Sequence, residues 1–159
     1  MGRTESRVTA TVLATKIQLP EFMKGICTAE KYRRWVDRKA KTHMRRDRRR
    51  GNATALLSNY KAAIHLAVLR SEGRDAYTGL PLRWDLISRY DNAASRRGRG
   101  AYKRRFGDLP TVDHVAHGFG KTDFAICAWR VNDAKSDLTP DEFFELCQAV
   151  VDFKMKQSD

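Results

Sequence analysis

The chain has little with which to staple itself covalently or span a lipid. Its three cysteines, Cys27, Cys127 and Cys147, are odd in number and far apart, and no Cys-x-x-Cys pair occurs. A cysteine-built zinc site is therefore not expected, and the thiols read as reduced, buried, small apolar groups. No apolar run approaches the roughly 20 residues that cross a bilayer, and no charged region followed by an apolar segment opens the sequence. The expected location is the cytoplasm. Acid is also scarce: 31 Lys and Arg stand against 19 Asp and Glu, a formal charge of +12 over 159 residues. That excess sets up a field favouring polyanions, with nucleic acid the first candidate and an anionic membrane surface the second.

What is present is one domain's worth of chain, large enough for its own core. Residues 1–27 give a weak signal: Val8 to Ile17 suits a strand or a helix, and Pro20 breaks what precedes it. From Thr28, a capping residue, the pattern turns helical, with Tyr32, Trp35, Val36 and Lys39 on one face. It then becomes strongly cationic through Arg45, Arg46, Arg48, Arg49 and Arg50, until Gly51-Asn52 stops it. A second helix is expected over Ala53 to Ser71, making a helical hairpin. His43 and His65 lie within these helical patterns and read as structural. Gly73 closes the pair, and 75–82 reads as a tight turn.

Residues 88–108 carry Arg96, Arg97, Arg99, Lys103, Arg104 and Arg105, with Gly98 and Gly100 among them and Tyr90, Tyr102 and Phe106 interleaved. That composition predicts a surface loop that orders on binding. Short strands are expected at Val112 to Val115 and Phe124 to Trp129, and a short helix from near Val131. The last helix has the clearest start: Thr139 caps, Pro140 takes the first position and Glu142 closes a capping box. The division this suggests is a basic, nucleic-acid-gripping helical extension over 1–73 and a second module over 74–159.

The chemistry-bearing residues concentrate in that second module. Thr111-Val112-Asp113-His114-Val115 joins an anionic ligand to an imidazole at the end of an apolar run. Arg130-Val131-Asn132-Asp133-Ala134-Lys135 adds a neutral oxygen ligand and, three residues on, a cation. Each has a plain reading: a surface Asp-His pair, an Asn cap, an exposed helix lysine. Their conjunction in so basic a chain favours a site that cuts phosphodiester bonds.

Residues 75–138, in this order of strand, loop, strand and helix, resemble the HNH endonucleases, the ββα-metal nucleases. Tyr77-Thr78-Gly79-Leu80-Pro81-Leu82 is similar to the turn that precedes the family's motif. The resemblance implies an α+β fold, mostly helical, with a small ββα-metal motif between N-terminal basic helices and a C-terminal helix. It implies Asp113 and Asn132 as ligands of one Mg²⁺, or another divalent cation such as Mn²⁺, His114 as general base and Lys135 as a second phosphate cation. His117 stays outside the ligand set. Two departures stand out: the turn lacks the cysteines that hold a structural zinc in many members, and Asp123 stands nearest the family's middle Asn.

The expected function is a metal-dependent DNA endonuclease working by a one-metal mechanism. Double-stranded DNA would be held through phosphates by Arg45, Arg46, Arg49, Arg50 and the 96–105 cations. A non-catalytic basic nucleic-acid-binding protein with a vestigial motif is the alternative, and an RNA-binding or ribosome-associated protein a further one. One motif cuts one strand, so a double cut would need a homodimer or two visits. Nothing in the sequence argues base specificity.

Overall fold

The structure, a computed structural model, describes residues 16–87, 89–115 and 122–157, apart from the side chains of Asn92 and Arg99. Most of the segment from Val8 to Ile17 and the loop residue His117 thus lie outside the described residues. The fold is α+β and mostly helical. Helix α1 (Ala29–Arg49) starts where Thr28 accepts from the Lys31 N–H. Its buried stripe, Tyr32, Trp35, Val36, Ala40, His43 and Asp47, is the apolar face extended by two polar residues. Helix α2 (Leu57–Ser71) returns antiparallel in sequence order and buries Tyr60, Ile64, His65, Ala67 and Val68. It begins four residues later than its composition suggests, because Arg48 donates to the Ala55 carbonyl and holds 52–56 as a turn.

Gly73 ends this pair with φ +84° and a Cβ-sized space closed by Phe22 at 3.1 Å. Only glycine fits both constraints. Strands β1 (Pro110–His114) and β2 (Phe124–Ala128) pair antiparallel, with Thr111 opposite Cys127 and Asp113 opposite Ala125. Helix α4 (Trp129–Lys135) follows β2 without a break, two residues earlier than expected. Helix α5 (Pro140–Lys156) has the full capping box of Thr139 and Glu142.

Residues 88–108 depart most from expectation. Rather than a loop, 92–105 form helix α3 (Asn92–Arg105), capped by Asp91, whose carboxylate accepts from the Ala94 N–H. Its glycines cost helix propensity, about 1 kcal/mol each. Aromatic packing offsets that cost: Tyr102 stacks on Phe106 at 4.4 Å, and Tyr90 meets both rings edge-on. The cysteines also depart in part, since Cys127 is buried, Cys27 half-buried and Cys147 exposed.

One buried cluster joins α1 and α2 to the sheet and to the 82–87 segment, around Trp35, Tyr60, Ile64, Trp84, Val112 and Ile126. The described parts of the two segments, on either side of Gly73, therefore share one buried cluster. Two histidines are built into it uncharged. Burial, together with Arg46 and Lys39, pulls the His43 imidazole down to about 3, while burial lowers His65, whose Nδ1 lies 2.6 Å from the Tyr32 hydroxyl. An unfolded chain would protonate both histidines near pH 6.5, so below that pH it binds more protons than the native state, at His43 down to about 3. Stability is accordingly full above pH 6.5 and falls as the pH drops. His43 alone should cost about 1–2 kcal/mol by pH 5, and His43→Phe should flatten that limb in urea melts recorded from pH 7 to 5.

Candidate functional site

The site sits at the end of β1, where backbone alternation turns successive side chains to opposite faces. Asp113 goes one way and is buried. Its Oδ2 accepts from the Tyr77 hydroxyl. The Lys135 ammonium lies 3.4 Å from Oδ1 and 3.2 Å from Oδ2, with only 2% of that side chain exposed. Lys135 is thus neither an exposed helix cation nor placed where its ammonium is free for a phosphate: it closes a buried ion pair. Asn132 is half-buried one turn earlier on α4, on the same side of the helix as Lys135 by the three-residue spacing. It does not cap the helix, whose N-cap is Ala128.

His114 goes the other way. Its ring stacks on Phe124 at 5.1 Å, and its Nε2 is buried with no hydrogen-bond partner among the described residues. The acid facing that nitrogen is Asp47 of α1, its Oδ2 at 3.8 Å. Asp47 is itself fixed by the Tyr60 hydroxyl, which donates to Oδ2 at 2.6 Å. Burial, and then that contact, push the Tyr60 phenol up to about 12. The His114 imidazole is held below its usual value, chiefly by burial; Asp47 opposes the shift, and Arg46 and Arg50 add to it. An uncharged imidazole at neutral pH results, the protonation state of a base.

Asp47 reads in the sequence as a lone acid in a basic run. The available signal was its place in the 32-35-36-40-43-47 stripe of α1, which predicts burial, and a buried acid needs a partner. Tyr77 was legible only as a turn residue. The turn itself shows how the motif stays in place with no cysteine in it. Asp75, buried, accepts from the Tyr77 and Thr78 N–H groups at 2.8 Å through Oδ1, and from the Ala128 N–H at 2.5 Å through Oδ2. One carboxylate thereby ties the turn to the junction of β2 and α4. Each such charge-assisted bond is worth about 1.5–3 kcal/mol. Asp75→Ala should therefore destabilise the fold by at least about 3 kcal/mol, read as a lower urea midpoint, and Asp75→Asn should recover part of it.

The cationic residues divide. Arg45, Arg49, Arg50, Arg96, Arg97, Arg104 and Arg105 are exposed. Arg46 is turned inward, donating to His43 Nδ1 at 3.0 Å and lying 3.8 Å from Asp47, so it supports the site rather than reaching outward. Lys103 pairs with Asp133 at 2.7 Å, which docks the end of α3 on the helix carrying Asn132 and Lys135. The Arg99 side chain lies outside the described residues. Asp123, exposed, faces Arg70 at 3.7 Å. Both basic helices therefore end at the site, α1 beside His114 and α3 beside α4.

A cavity of about 310 Å³ between Trp35, Lys39, Tyr90, Thr111 and Trp129 contains none of Asp113, His114, Asn132 or Lys135. There the Lys39 ammonium donates to Thr111 Oγ1 at 2.9 Å, and burial pulls it down to about 8. Among the described residues no cluster of three or more His, Cys, Asp or Glu side chains is arranged to hold a metal ion. Among the described residues no helix is long and apolar enough to cross a membrane. No protein-family model, curated protein or solved structure matches this chain.

Proposed function

We propose that the chain is a metal-dependent DNA endonuclease of the HNH, ββα-metal type. The observation that supports this most is the junction of the two strands and α4. It sets Asp113 and Lys135 in contact, puts Asn132 one turn from Lys135, and turns His114 to the opposite face beside the arginine end of α1.

In this reading His114 takes the proton of the attacking water. With Nε2 turned toward Asp47, Nδ1 is the nitrogen left to accept it. Asp113 and Asn132 supply hard oxygen donors, which suit Mg²⁺ or Mn²⁺, ions that keep several waters and take further oxygens from a bound phosphate. When bound, such an ion polarises the scissile phosphate and neutralises charge on the leaving oxygen. Lys135 shares the Asp113 carboxylate and would contend with such an ion for it. Tyr77 keeps Oδ2 oriented throughout. The exposed arginines of α1 and α3 hold duplex DNA through its phosphates.

One observation favours the second reading, a basic binding protein with a vestigial motif. The Asp113 carboxylate is already neutralised by Lys135. A plasmid nicking assay with Mg²⁺ and with EDTA decides between them. Nicking that EDTA abolishes supports the nuclease; binding without cleavage under any divalent ion supports the vestigial motif. In either case duplex binding should weaken steeply with salt. Removing one exposed phosphate-contacting arginine, such as Arg49→Gln, should lower the slope of log K against log salt by about 1.

A further inference from the structure

Helix α5 carries a large apolar face that the other described residues leave open. None of its 17 residues is buried. Contacts of Phe143 and Phe144 with the Tyr77 ring fix its first turn, whereas Val150, Phe153 and Met155 are more than 60% exposed. Soluble monomers rarely expose contiguous apolar patches of this kind. The pattern along the face is specific. Phe143, Leu146, Val150 and Phe153 recur at spacings of three, four and three residues, the a and d positions of a two-helix seam.

Charge selects the occupant. The helix sets Asp141, Glu142, Glu145 and Asp152 against Lys154 and Lys156, so it is net acidic in a basic chain and draws a nucleic acid or an anionic membrane less than the basic helices do. In the same heptad register Glu142, Ala149 and Lys156 hold the three g positions. In an antiparallel pair, g positions face g positions. A two-fold axis at Ala149 then sets Glu142 of each copy against Lys156 of the other, with the small alanine at the crossing. A parallel pair would make neither contact. Antiparallel packing also opposes the two helix dipoles.

We propose that this face is a homodimer interface, in which two copies of α5 pack antiparallel about a two-fold axis at Ala149. The inference stands independently of the chemistry at Asp113 and His114. Such a dimer would join two copies of that site through the helix that rests on Tyr77.

Sedimentation velocity of the full chain over a dilution series tests it. The wild-type protein should run as a dimer that dissociates on dilution. Val150→Asp, at a position exposed in the single chain, should weaken association at least about tenfold by forcing a carboxylate into the seam, with the thermal melt of the diluted monomer unchanged. Lys156→Glu sets like charges against Glu142 and should weaken the dimer several-fold. Adding Glu142→Lys to Lys156→Glu should restore association, despite losing the capping box. A wild-type monomer at every concentration overturns the proposal. So does a dimer indifferent to Val150→Asp, or one that forms only after residues 1–15 are removed.

Discussion

Lys135→Met is expected to cost the protein about 3–5 kcal/mol of stability, read as a drop in the urea midpoint. The ammonium and the Asp113 carboxylate are both out of water, at 3.2 Å, and the methionine would fill the space without the charge. The carboxylate would then keep only the Tyr77 hydroxyl among the contacts described here. Uncompensated burial of that charge, rather than the lost attraction, makes the penalty large. Adding Asp113→Asn to Lys135→Met should therefore recover most of the loss, since neither partner is then ionised. If the endonuclease reading holds, Mg²⁺ should also stabilise the Lys135→Met protein more than the wild type, because the ion no longer contends with an ammonium. A penalty below about 1 kcal/mol would show the pair to be solvated like a surface salt bridge.

That pair marks how far the sequence could be read. Local rules held where the signal was local. Thr28 and the Thr139–Glu142 box start the helices they were expected to start, because a cap needs only three or four adjacent residues. The strands around Asp113 and Cys127 fell within two residues of their observed ends, since a short apolar run between turn residues leaves few options. Helix α3 was missed because arginines and two glycines mask periodicity. Its stability comes from Asp91 and from rings at 90, 102 and 106, whose contacts exist only once the chain folds.

The site divides in the same way. Asp113, His114, Asn132 and Lys135 were visible as residue types at a telling spacing. Their partners were not, because each is a distant contact: Lys135 reaches back 22 residues to Asp113, and Tyr77 reaches forward 36. Asp47 lies on α1, in the segment assigned to gripping, and no pattern near His114 names it. Arg46 shows the converse. A charge run identifies a basic surface but not the member that turns inward to His43 and Asp47.

In the proposed endonuclease reading, His114→Ala should reduce cleavage by about 10²–10⁴-fold, the usual worth of a positioned general base, while duplex affinity changes little. The separation follows from where the charges sit. In that reading the exposed arginines at 45, 49, 50 and 96–97 would carry the long-range attraction, and an uncharged, half-buried imidazole would add nothing to it. Asp47→Asn tests the support behind the base. The amide still accepts from Tyr60 through its oxygen, so the fold should persist, but the negative charge facing His114 Nε2 is gone. Cleavage should then fall by less than in His114→Ala, with kcat reduced more than KM is raised, because the group acts on the imidazole and not on DNA. Equal losses in the two variants would mean that Asp47 holds the site together rather than orienting its base. An active His114→Ala protein that still requires divalent metal would remove His114 from the chemistry altogether.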